Sequence, residues 1–208
     1  MPKSGGEMRI GVDFDNTIVD YDNVFVSAAR TAKFIDENWI GGKEAVRRVV
    51  RALADGERKW MRLQGKVYGA LMSQAHVVEG FGNFLEASRR ASVSVYIVSH
   101  KTEHGHFDEE RIDLREASRR WLRAHGFSGP NGLPDPHVFF EASRGEKIER
   151  IRQLRCSHFI DDLEEVFREP RFPEMVDRYL LSRREGNLPI GPFKACRNWG
   201  EICNAIFP

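Results

Sequence analysis

Short apolar runs bounded by polar or turn residues recur along the chain, and they limit its fold more than any other feature. They are Met8 to Val12, Val93 to Val98, Val138 to Phe140, His158 to Ile160 and Arg178 to Leu181. Runs this short, rich in β-branched and aromatic residues, read as buried strands. Between them lie helical patterns, among them Glu110 to His125, closed by Gly126, and Gly145 to Arg155. Strands alternating with helices predict an α/β fold whose parallel sheet is covered by helices on both faces.

One connection is too long for a simple crossover. Between Asp20 and Glu79 come a helical pattern near Val24 to Phe34, an apolar stripe of Ala45, Val46, Val49, Val50 and Leu53, and a third pattern on Trp60, Val67 and Leu71. The expected organisation is a core of residues 1–19 and 80–208, with residues 20–79 inserted as a small helical cap. Near the carboxyl end, Asn198 followed by Glu201 has the form of a capping box and predicts a terminal helix that packs back on the core.

A chain of 208 residues accommodates one such domain plus an insertion. With 41% apolar and 30% charged residues it can bury a core beneath a solvated surface, which excludes disorder over most of its length. Its 32 basic and 31 acidic residues leave a formal charge of +1, so no global field gathers polyanions or anionic membranes, and no nucleic-acid partner is expected. Cys156, Cys196 and Cys203 are odd in number and lack CxxC spacing, which argues against a disulfide framework and a zinc site. The residues around Lys3 are polar with no apolar core behind them, unlike a secretory signal. No stretch approaches the ~18 consecutive apolar residues of a membrane span. A cytoplasmic protein is expected; the sequence carries no mark of its oligomeric state.

The densest chemical signal is Gly11-Val12-Asp13-Phe14-Asp15-Asn16-Thr17, two carboxylates spaced by one residue directly after the first apolar run. Ligands of open parallel sheets bind outside the carboxyl ends of the strands, which is where these acids stand. A chain turning into a loop can aim the side chain of one and the backbone carbonyl of the other at a common cation, and such hard oxygen donors suit Mg²⁺. A lone pair of this kind also reads as a solvated turn. Its companions argue for a site: Ser99 ends the second run, Lys147 opens a later helix, and Asp161-Asp162 follows the fourth run, all converging on one sheet edge.

These residues resemble the haloacid dehalogenase-like (HAD) superfamily. Asp13-Phe14-Asp15-Asn16-Thr17 is similar to its DxDxT signature, Val98-Ser99-His100 to its strand-end Ser/Thr, Gly145-Glu146-Lys147 to its lysine site, and the stretch from Ile160 to Phe167 to its terminal acidic pair. The likeness in order and spacing spans about residues 8–168. It implies a Rossmann-like (HAD-like) core and a phosphatase, with Asp13 as nucleophile and Asp15 as general acid and then base, its carbonyl also meeting Mg²⁺. It further implies that Ser99 hydrogen-bonds the phosphoryl group, that Lys147 neutralises the charge shared by Asp13 and phosphate, and that Asp162 ligates Mg²⁺ with Asp161 behind it. A carbon–halogen leaving group needs no proton whereas an alkoxide does, so Asp15 points to phosphoryl chemistry rather than dehalogenation.

The expected substrate is a small phosphorylated metabolite. A phosphomutase or phosphotransferase, or a non-catalytic protein retaining the fold, is the alternative. Lys101 is the reserve for the charge-neutralising role. The polar stretch from His100 to His106 reads as a loop walling the substrate side rather than a metal site. Lys43, Arg47, Arg48, Arg58, Lys59, Arg62 and Lys66 read as the wet face of the inserted helices, broken by Glu44, Asp55 and Glu57.

Overall fold

The computed structural model describes residues 7–107, 110–130, 132–183 and 186–208. The amino-terminal residues on which the signal-peptide reading rests, Lys3 among them, lie outside this set. In chain order, β1 (Arg9–Val12) leads to β2 (Val19–Asp20), then three helices, α1 (Asp22–Thr31), α2 (Lys43–Ala52) and α3 (Gly56–Tyr68), and β3 (His76–Val77). There follow α4 (Phe81–Arg90), β4 (Ser94–His100), α5 (Leu114–Ala124), β5 (Val138–Glu141), α6 (Arg144–Gln153), β6 (His158–Asp161) and α7 (Glu164–Phe167). The chain closes with β7 (Asp177–Leu181), β8 (Lys194–Cys196) and α8 (Trp199–Ile206). No described helix is long and apolar enough to cross a membrane.

Six strands form one parallel sheet in the order β5-β4-β1-β6-β7-β8. The period of two along each strand divides the core between the faces. Ile10, Val12, Val95, Ile97 and Ile160 face α4, α5 and α8, where Phe84, Trp121 and Trp199 are buried. Val98 and Phe159 face α6 and α7 with Ile148, Ile151 and Phe167. Gly11 sits where the second face is tightest: a Cβ there would come within 2.5 Å of the Phe159 ring. The α/β sandwich expected from the sequence is therefore the observed fold.

Side-chain caps set the helix starts. Asp113 accepts from the N–H groups of Arg115 and Glu116 and so opens α5 later than the Glu110 pattern suggests. Ser143 caps α6 and Asn198 caps α8. Glu201 reaches the N–H of Arg197, one residue before the cap, rather than that of Asn198 itself. As expected, α8 packs back: Trp199 is fully buried and its Nε1 donates to the Thr17 carbonyl at 3.0 Å.

The inserted helices leave and rejoin the core through β2 and β3, which pair antiparallel at Val19 with Val77 and Asp20 with His76. Inside, Phe25 stacks on Trp60 with ring centroids 5.0 Å apart, and Val46, Val50 and Val67 are fully buried. Leu53 and Leu71, read from the sequence as parts of the helical stripes, fall just beyond α2 and α3. The first inserted helix stops at Thr31, because Lys33 takes a left-handed backbone that cannot continue it.

Candidate active site

The strand order reverses at β1: the chain first builds outward through β4 and β5, then crosses to β6 on the other side. In such sheets the crevice opens at the carboxyl ends of the strands flanking that point. Asp13 follows β1 there, Asp161 ends β6, and Asp162 comes next. The N–H of Asp13 still donates to the Ile160 carbonyl at 2.9 Å, so the sheet holds the residue in place. Phe14 turns into the core, edge-on to Trp121 and Phe140, which sends the flanking Asp13 and Asp15 toward the crevice. The turn then needs a left-handed residue, and Asn16 supplies it with φ 60°.

Asp13 is 5% exposed. Its Oδ1 accepts from Ser99 Oγ at 2.8 Å and Lys147 Nζ at 2.6 Å, and its Oδ2 from Thr17 Oγ1 at 3.5 Å. Lys147, in the first turn of α6, donates a second time to Asp161 Oδ2 at 2.6 Å. The other oxygen of Asp161 accepts from the N–H of Leu163 at 3.0 Å. Asp162 Oδ2 accepts from Asn16 Nδ2 at 3.3 Å. Asp15 stands apart from these three carboxylates, accepting from Tyr21 Oη at 2.5 Å and from Lys101 Nζ at 2.9 Å. The structure thus brings Asp13, Ser99, Lys147, Asp161 and Asp162 into direct contact or close approach, with Asp15 on the adjoining wall.

One oxygen each from Asp13, Asp161 and Asp162 lie within 4.8 Å of one another, the one group among the described residues placed so that it could hold a metal ion. Burial would strip the proton from Lys147, yet the Asp13 and Asp161 carboxylates offset it and hold the ammonium above the ordinary lysine range. The carboxylates outnumber that ammonium. Burial raises Asp161 to about 6, with Asp13 adding to the rise and Lys147 opposing it. Burial, Asp161 and Asp13 together raise Asp162 well above the usual carboxylate range. Excess negative charge on hard oxygen donors is the condition a divalent cation relieves, so the donor set fits one. Asp15 is expected to meet Mg²⁺ through its backbone carbonyl; its carboxyl group is not part of this group and is engaged by Tyr21 and Lys101. The histidines of the stretch His100–His106 are not part of it either.

Two contacts were not legible in the sequence. Burial and the neighbouring Asp15 carboxylate push the Tyr21 hydroxyl well above its ordinary range, which keeps it a donor to Asp15. Lys43, assigned to the wet face of the insertion, instead turns inward and donates to Asn16 Oδ1 at 3.0 Å. Burial disfavours its charge, but Tyr68 and the carboxylates of Asp15 and Asp162 hold it above the usual lysine range. Beside Asn16 and Asp162 a cleft of about 330 Å³ opens, walled also by Lys43, Ser182 and Arg183.

No protein-family model and no curated protein sequence matches the chain. Solved structures do. A HAD family hydrolase from Deinococcus radiodurans, with bound phosphate and sodium, superposes with a TM-score of 0.63 at 14% identity, over 96% of this chain and 95% of that one. The chain has the haloacid dehalogenase-like fold. The Protein Tyrosine Kinase A (PtkA) of Mycobacterium tuberculosis shares this HAD-like fold with a TM-score of 0.62 at 16% identity, over 99% of this chain and 100% of that one. A variant of CbbY from Rhodobacter sphaeroides, in complex with xylulose-(1,5)bisphosphate, gives 0.54 at 14% identity, over 94% of this chain and 96% of that one. Such matches span the HAD-like core and the inserted helices together.

Proposed function

We propose that this protein is a Mg²⁺-dependent phosphatase that hydrolyses a small phosphoric monoester through an aspartyl phosphate on Asp13. The observation that carries the reading is the convergence on one buried carboxylate of the Ser99 hydroxyl and the Lys147 ammonium, with Asp161 and Asp162 alongside. The neighbours with bound phosphate or a sugar bisphosphate support a phosphorylated substrate.

In this reading Asp13 Oδ2, the less committed oxygen, forms the bond to phosphorus. The ester P–O bond breaks with its electron pair on the leaving oxygen, and Asp15 gives that oxygen a proton. Asp15 then takes a proton from water; the resulting hydroxide attacks phosphorus, and the bond to Asp13 breaks to return the carboxylate. Tyr21 and Lys101 donate to Asp15 and fix the position of its side chain. Ser99 and Lys147 orient and neutralise the charge shared by Asp13 and the phosphoryl group. Asp13, Asp162 and the Asp15 carbonyl would hold Mg²⁺, with Asp161 behind; when bound, it supplies positive charge against the phosphoryl oxygens. Residues 20–79 form the cap that keeps bulk water from the phosphoaspartate.

A screen of phosphate release from sugar phosphates, nucleoside monophosphates and other organic phosphates, with and without Mg²⁺, tests this. Metal-dependent release from at least one class is expected. No release from any of them by folded protein would favour a non-catalytic binding role. Transfer to a second hydroxyl rather than to water is the other reading, kept open by the shared fold of PtkA, and is distinguished by where the phosphoryl group arrives.

A further inference from the structure

We infer that Lys43 is the residue through which the cap binds the phosphoryl dianion of the substrate. The inference rests on the phosphatase reading above and adds a residue that its chemistry does not otherwise use.

Lys43 is the first residue of α2, and its position is built tightly. Its backbone N–H donates to Asp22 Oδ1 at 3.0 Å, tying the start of α2 to the start of α1. A Cβ on the preceding Gly42 would meet Asp22 Oδ2 at 2.6 Å, so a side chain there would displace the Asp22 carboxylate. The stem then carries the ammonium over three aromatic rings: Phe25 at 5.4 Å, Tyr68 at 5.7 Å and Tyr21 at 5.9 Å from their centroids. Ring faces attract a cation while removing part of its water. The remaining direction points to Asn16, one residue beyond Asp15, whose own amide meets Asp162.

Charge distinguishes this lysine from the two beside it. Lys147 is committed to Asp13 and Asp161, and Lys101 to Asp15. Arg183, across the cleft, is paired with Asp20 at 2.6 Å. Lys43 makes no ion pair among the described residues; its hydrogen-bond partners are the neutral Asn16 amide and the Tyr68 hydroxyl, with the Asp15 and Asp162 carboxylates farther off. Two ammonium groups and a divalent cation would balance the four carboxylates Asp13, Asp15, Asp161 and Asp162. A phosphoryl dianion arriving at Asp13 then brings further negative charge, and Lys43 is the neighbouring ammonium with no carboxylate partner at ion-pair distance among the described residues. Exchanging a neutral amide for a phosphoryl oxygen makes a charge-assisted hydrogen bond in a partly dehydrated place, where it is strongest.

The test is an equilibrium titration of inorganic phosphate into the full chain with saturating Mg²⁺, for wild type, Lys43→Gln and Lys43→Arg, alongside their Mg²⁺ affinities and thermal unfolding. Losing one hydrogen bond to a charged group predicts phosphate affinity lower by about 10–100-fold in Lys43→Gln, with Mg²⁺ affinity unchanged. Lys43→Arg, whose guanidinium also stacks on aromatic rings, should recover most of it. Phosphate binding within twofold of wild type in Lys43→Gln would overturn the inference and leave the phosphatase reading intact. Equal losses in both variants, with lowered unfolding temperatures, would overturn it in favour of a purely structural latch to Asn16. A wild-type protein that binds no phosphate and releases none from esters would overturn both.

Discussion

Lys147 Nζ lies 2.6 Å from Asp13 Oδ1, although 134 residues separate the two along the chain. The contact exists because β1 and α6 deliver their ends to the same crevice, and it places an ammonium against a buried carboxylate. Removing the ammonium leaves Asp13 and Asp161 facing each other, both buried. Breaking one side of a buried ion pair costs about 3–5 kcal/mol. Lys147→Met is therefore expected to unfold at lower urea concentration in metal-free protein, to regain part of that loss in Mg²⁺, and to be inactive. Should Lys101→Met be inactive while Lys147→Met keeps its rate, the charge-neutralising role belongs to Lys101.

Asp15 is held by Tyr21 and Lys101, apart from the Asp13, Asp161 and Asp162 group, so in the proposed reaction its proton transfer can be tested separately from metal binding. Asp15→Asn retains the backbone carbonyl and loses the proton, so turnover should drop by about 10²–10⁴-fold with Mg²⁺ dependence little changed. The loss in single-turnover phosphorylation should be smallest for esters with good leaving groups, such as p-nitrophenyl phosphate. Equal slowing of good and poor leaving groups would remove Asp15 as the acid.

The adjacent acids have different surroundings. Both oxygens of Asp161 are taken, by Lys147 and the Leu163 N–H, whereas Asp162 meets the neutral amide of Asn16 and borders the cleft. Asp162→Asn should accordingly raise the Mg²⁺ concentration for half-maximal activity more than Asp161→Asn, for which about 10–100-fold is typical of a supporting group. The opposite order in a Mg²⁺ titration would exchange the two roles.

Protonation follows from the same crowding. Asp161, at about 6, binds its proton more tightly in the folded chain than at the ordinary value of 3.8. Metal-free protein should therefore lose stability as pH rises through that window and level off above it. Mg²⁺ competes with these protons, so its affinity should weaken as pH falls below about 6, by up to about tenfold per pH unit for each proton displaced. Calorimetric titrations across the window measure this directly; a flat affinity would place the metal elsewhere.

The sequence carried most of this site because strand ends mark themselves. Asp13, Ser99 and Asp161 each end or follow an apolar run, and Ser143 with Glu146 marks the helix start that presents Lys147. The two-residue strands β2 and β3 are too short to show alternation, and β8, Lys194–Cys196, offers one buried side chain. Lys43 was misplaced for a physical reason as well: as the first residue of an amphipathic helix it is periodic with neither face, and what turns it inward are rings contributed by α1, α3 and Tyr21. Tyr21, next to Asp20 at the entrance to the insertion, gave no local sign that it would reach back to Asp15.

In the proposed reaction Asp13 becomes phosphorylated. Protein mixed with p-nitrophenyl phosphate and Mg²⁺, quenched in acid and digested, should yield a peptide containing Asp13 with the added mass of one phosphoryl group, absent without substrate and absent in Asp13→Asn. Release of p-nitrophenol at near wild-type rate by Asp13→Asn, or a phosphoryl group found on another residue, would contradict it.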